Sequence, residues 1–125
     1  MSSSYSEIGF TQLGTDINGE AANDYSGRSV SLSDDGSIVA IGANRNNGNG
    51  SYSGHTRIYQ YANETWTQLG TDIDGEAAYD YSGRSVSLSA DGSIVAIGAD
   101  SNNGNGSYSG HTRIYQYANE TWTKL

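Results

Sequence analysis

A unit of 56 residues, present twice, constrains this chain more than any other feature. Residues 11–66 and 67–122 align without a gap and differ at five positions: Asn18/Asp74, Asn23/Tyr79, Asp34/Ala90, Asn44/Asp100 and Arg45/Ser101. The other 51 of 56 residues are identical. A fixed period of this kind marks an array in which each unit buries its apolar faces against its neighbours. A third, partial copy is split between the two ends, as Phe10-Thr-Gln-Leu13 and Trp122-Thr-Lys-Leu125. The organisation expected is a tail over 1–10, repeats over 11–66 and 67–122, and a partial strand over 123–125. The near-identity reads as a repeat that was engineered, or cut from a longer array; recent gene amplification is the other reading.

Each repeat predicts four strands. Ser85 to Ser89 alternates polar and apolar residues, as a half-buried strand does. Asp91-Gly92 supplies a hairpin turn. Ile94 to Ala99 is a short apolar run, suited to a strand buried on both faces. Residues 100–110 are rich in Asn, Gly and Ser and read as a loop. His111 to Tyr117 carries β-branched and aromatic residues at strand spacing, and a turn follows at Ala118 to Thr121. Trp66 to Ile73 reads as the fourth strand, and residues 74–83 cross to the next unit. No segment has the length and signals of a helix. Four antiparallel strands joined by a crossing loop, repeated in tandem, give the pattern of a β-propeller blade. A β-sandwich is the alternative, but its two sheets rarely share one sequence.

Composition narrows the function classes. There is no cysteine, which excludes disulfides and thiolate zinc sites. The formal charge is −8, opposite to what a nucleic-acid partner requires. No apolar run is long enough for a membrane helix, and the first ten residues lack the features of a signal peptide. The compartment stays unassigned. Apolar residues make up only 34%, yet ten tyrosines, two tryptophans and one phenylalanine recur at regular intervals, which argues for an ordered chain.

The segments GRSVSLSADGSIVAIGA, NNGNGSYSGHTRIYQY and ETWTQL resemble the FG-GAP-like repeat, found in the N-terminal propeller of integrin α subunits and in many surface proteins. Ser26-Gly27 and Ser82-Gly83 stand where the family has Phe-Gly. Gly42-Ala43 and Gly98-Ala99 match its Gly-Ala, with Asn44 and Asp100 replacing Pro. The resemblance implies a propeller of about seven blades, a non-enzymatic role and often extracellular binding or adhesion. It also implies calcium loops between the first two strands of a blade, where this chain has only a short turn.

Candidate chemistry is sparse. Asp72, Asp74, Glu76 and Asp80 occupy positions 1, 3, 5 and 9 of one loop, and Asp16, Asn18, Glu20 and Asp24 match them in the first repeat. Alternating oxygen ligands of this kind can converge on calcium. The reading preferred is an acidic, solvated crossing loop whose Asp residues cap their own backbone, with no cofactor. His55 and His111 are expected at the surface or at a strand edge, since nothing in the sequence pairs them with an oriented nucleophile. Tyr25, Tyr52, Tyr79, Tyr81 and Tyr108 are expected to cover blade edges, with a binding rim as the alternative. Trp66 and Trp122 are expected to anchor blade packing.

The expectation is an all-β chain of two four-stranded antiparallel propeller blades. Two blades leave two outer faces uncovered, so the ring is expected to close by head-to-tail homo-oligomerisation. Four chains with eight blades are favoured over three chains with six. The surplus terminal strand is expected to cross into a neighbour. The function expected is a non-enzymatic, self-assembling repeat protein. The alternative is an extracellular binding or adhesion module for a carbohydrate or protein ligand, possibly dependent on calcium.

Overall fold

A computed structural model describes residues 9–125. It contains two antiparallel sheets and, among these residues, no helix. The first sheet holds β1 (Ser26–Leu32), β2 (Ile38–Ala43), β3 (His55–Ala62) and β4 (Thr65–Gln68) in that order, with β5 (Ile73–Asp74) also paired to β3. The second holds β6 (Ser85–Leu88), β7 (Ile94–Ala99), β8 (His111–Ala118) and β9 (Thr121–Lys124). The registers coincide after a 56-residue shift: Ala40 faces Ile58 as Ala96 faces Ile114. Two four-stranded meanders of this kind have the form of propeller blades.

Local chemistry sets the turns. Asp35 Oδ1 accepts from the amide and the hydroxyl of Ser37, at 2.9 and 2.7 Å, and closes the β1–β2 hairpin. Asn63 and Glu64, both in the left-handed region at φ 53° and 64°, form the two-residue β3–β4 turn. Positive φ at both central residues matches the right-handed twist of the flanking strands.

The fourth strand is not continuous as its sequence suggests. It breaks between Gln68 and Ile73, where Gly70 adopts φ 68°. The segment still follows β3, since the Leu69 amide donates to the Ile58 carbonyl at 2.7 Å. A conformation open to glycine and costly for other residues thus divides one pleated run into two short pairings. The boundary between the sequence repeats, after Trp66, falls inside β4. A blade therefore runs from the first strand after one crossing loop to the last before the next.

Alternation along the strands gives each sheet two apolar faces. Ile38, Ala40, Ile58 and Ile73 form one face of the first blade. They pack on Val95 and Ile97 of the second blade, with Val86, Leu88, Tyr115 and Trp122 around them. The first residues all lie on one kind of face and the second all on the other. The contact is therefore head to tail.

At the N-terminal end, residues 9–25 form no strand, while β9 pairs with β8 of its own blade. The expected crossing of the surplus strand into a neighbour is thus not used within one chain. Residues 1–8 of the expected tail lie outside the described residues. No helix is long and apolar enough to cross a membrane.

Candidate functional site

β3 begins at His55, and its first two residues are flanked on both sides. His55 pairs with Ala43 of β2 and with Asp74 of β5. The residue is 1% exposed, which corrects the expectation of a surface or strand-edge histidine. The cause is β5, which covers the edge that a four-residue β4 would leave open. Among the described residues, neither ring nitrogen of His55 has a hydrogen-bond partner. His111, its counterpart on β8, keeps 26% of its side chain exposed.

Two carboxylates face His55 Nδ1: Asp72 Oδ2 at 3.5 Å and Glu20 Oε1 at 4.0 Å. Each is held from behind. Gln68 Nε2 donates to Asp72 Oδ1 at 2.8 Å, and Asn46 Nδ2 donates to Glu20 Oε1 at 3.1 Å. Asp74 lies at the same end. Burial pushes its carboxyl above the ordinary aspartate value, His55 pulls it back down, and Asp72 and Glu20 raise it further. In the second blade, Glu76 Oε1 stands 3.9 Å from His111 Nδ1. Asn102 donates to both Glu76 and Asp80, at 3.0 and 2.8 Å.

Among the described residues, the ligand atoms that converge are those of Glu20, His55 and Asp72, and those of Glu76, Asp80 and His111. Glu20 and Asp24 share Asn46, whose amide donates to Asp24 Oδ2 at 2.9 Å. Asp16 accepts instead from Gln12 Nε2 at 2.8 Å, and Asn18 offers its carbonyl to Arg57 at 2.7 Å. The second acidic loop is divided: Asp72 lies with the first blade at His55, and Glu76 and Asp80 with the second at His111, while of the first loop only Glu20 joins such a cluster. The spacing along the chain could not show this, because the loop passes from one blade to the next. The histidines, at equal places in the two repeats, were the available signal.

The aromatic residues hold the blades together. Tyr52 stacks on Tyr81 at 5.7 Å and meets Tyr79 edge-on at 5.9 Å. The Arg45 guanidinium lies 4.3 Å from the Tyr25 ring centre. Trp122 Nε1 donates across the blades to the Leu69 carbonyl at 3.0 Å, and Trp66 Nε1 donates to Leu13 at 2.9 Å. Trp122 thus anchors packing between the blades, as expected, while Trp66 holds the segment before the first blade.

Comparison with known proteins adds one match. The FG-GAP repeat model matches residues 18–59. No curated protein matches the chain. The matched segment runs from the crossing loop through β1 and β2 into β3, so it contains both the Gly42-Ala43 pair and the Glu20 and His55 side chains. Over residues 18–59 the chain is thus similar to the FG-GAP repeat, and its two antiparallel sheets are consistent with propeller blades.

Proposed function

We propose that this chain is a non-enzymatic structural repeat that assembles head to tail with further copies of itself into a closed β-propeller. The observation that carries the reading is that the outer faces of the two blades, one of them partly covered by residues 12–17, repeat the two halves of the interface between the blades. A groove of about 320 Å³ is lined by Leu13, Ile17, Val30, Leu32, Val39 and Ile41. Shifted by 56 residues, these are Leu69, Ile73, Val86, Leu88, Val95 and Ile97, all members of the buried inter-blade core. Of its five other members, Tyr115 and Trp122 come from the second blade, and Ile38, Ala40 and Ile58 from the first. The counterparts of Ile38, Ala40 and Ile58 are Ile94, Ala96 and Ile114, on the uncovered face of the second blade. A second copy presenting those three residues fills the groove.

The contact is heterologous, so it closes a ring only when the rotation per chain divides a full turn. Four copies give eight blades and three give six. Leu13 and Leu125 are counterparts of the same residue, Leu69, so one of the two terminal copies yields at each junction. The near-identity of the repeats supports a blade copied whole, by design or by excision from a longer propeller.

Light scattering over a concentration series tests the assembly. The expected mass is that of four copies of the 13.2 kDa chain, with three as the other closed form. A mass of 13.2 kDa at all concentrations overturns the reading.

A further inference from the structure

His55 is the one histidine in the blade interior, and among the described residues nothing bonds either of its nitrogens. A buried polar group without a partner is costly. Its Nδ1 points at two carboxylate oxygens held in place by Gln68 and Asn46. All three ligand atoms lie within 4.8 Å of one another. Ligands about 2.0–2.1 Å from a tetrahedral zinc ion stand roughly 3.3–3.5 Å apart. The 3.5 Å from Nδ1 to Asp72 meets that spacing, and the 4.0 Å to Glu20 needs a small side-chain shift.

We propose that Glu20, His55 and Asp72 form a binding site for a divalent cation of the zinc class. An imidazole nitrogen with two carboxylates suits a borderline transition metal, whereas calcium takes six to eight oxygens. A divalent cation balances two carboxylates and a neutral imidazole, and it partners the buried Nδ1. Asp72 and Glu20 are 32% and 45% exposed, so the cation enters from their side, where water completes the shell. Gln68 and Asn46 act as the outer partners that orient the ligands.

The site has a second form that rests on the head-to-tail assembly. Asp72 has one repeat counterpart in this sequence, Asp16. In the assembly, Asp16 of a second copy reaches His111 and Glu76 as Asp72 reaches His55 and Glu20. The His55 site needs no second copy.

Titration calorimetry with zinc chloride, and native mass spectrometry of the same samples, test both forms. The wild-type chain, D72N and D16N are compared, each first checked for an unchanged melting curve in chelator. Asp72 is partly exposed and D72N keeps its size, so the fold is retained. Outer-shell changes alone cost about 10–100-fold in metal affinity. D72N is therefore expected to lose at least about 100-fold at one site per chain, and calcium in excess is expected not to displace zinc. Equal zinc affinity in D72N and wild type, or displacement by calcium, overturns the proposal. D16N is expected to weaken the other site in assembled protein only. Loss in D72N from a monomeric chain upholds the His55 site while the assembly fails. An unchanged D16N in a confirmed ring overturns the shared site.

Discussion

The strand HTRIYQYA occurs twice, as β3 and β8, with the same register to its neighbours. In β3 the first four residues are buried; in β8 burial alternates with exposure along the whole strand. Ile58 is fully buried and Ile114 is 42% exposed. Val30 and Leu32 are 62% and 60% exposed, while Val86 and Leu88 pack against the core. These residues are identical between the repeats, so the five differing positions do not cause the contrast. The two blades share the same strands, each has one neighbour, and they differ in which face that neighbour covers. Burial here is a property of position in the array.

The largest effect should come from the isoleucines. Ile58→Ala removes a fully buried side chain, and such changes typically cost about 2–5 kcal/mol. In a lone chain, Ile114→Ala should cost less than about 1 kcal/mol, because that side chain already meets solvent. In the assembly, Ile114 takes the place of Ile58, and the two costs converge. Denaturant melts of both variants, read beside their solution masses, separate the cases. Equal costs in a monomer would contradict the burial contrast.

A smaller effect comes from the junction aromatics. Within the chain, Tyr52 has both Tyr79 and Tyr81. Tyr108, 75% exposed, would meet Asn23 and Tyr25 of a second copy, because Asn23 stands where the other repeat has Tyr79. Asn23→Tyr restores the missing ring, at a φ of 65° that Tyr79 shares. An edge-on aromatic pair contributes about 0.5–1.5 kcal/mol. The variant should lower the concentration at which the assembly dissociates by roughly tenfold at most. A dissociation midpoint that stays put would remove the tyrosine cluster from the inter-copy contact.

The smallest effect is one on which the repeats should agree. The Ser37 hydroxyl, then its amide, hold the Asp35 carboxyl below the ordinary aspartate range. For Asp91 the Ser93 amide leads and the hydroxyl follows. A depressed pKa in the folded state contributes stability above the unfolded value of about 3.9, and this is lost as pH falls through the folded value. Carboxyl carbon titration by NMR should show both groups low, and Ser37→Ala and Ser93→Ala should each raise its own partner. A difference between the two hairpins would mean that blade position reaches even the exposed turns.

Much of the fold was legible in the chain. Period-2 alternation gave β6, the apolar run gave β7, and Asp-Gly and Asn-Glu gave the hairpins, because strand and turn preferences are local. The fourth strand was read too long, since Gly70 interrupts a run that looks continuous by composition. The site was less legible. Acidic spacing offered a calcium loop as the lesser reading of each repeat, whereas the second loop is shared between the histidines of two blades, because the chain crosses from one blade to the next in the middle of it.

The sequence by itself determined most of the blade: its first three strands, their turns, the two apolar faces and the need for something to cover each. Those follow from side-chain alternation and turn chemistry within a few residues. Only the tertiary structure decided which face meets which, that His55 is buried with two carboxylates before it, and that one repeat's strand is interior while its copy is not. Those depend on contacts between residues far apart in sequence, and two identical segments cannot carry different instructions.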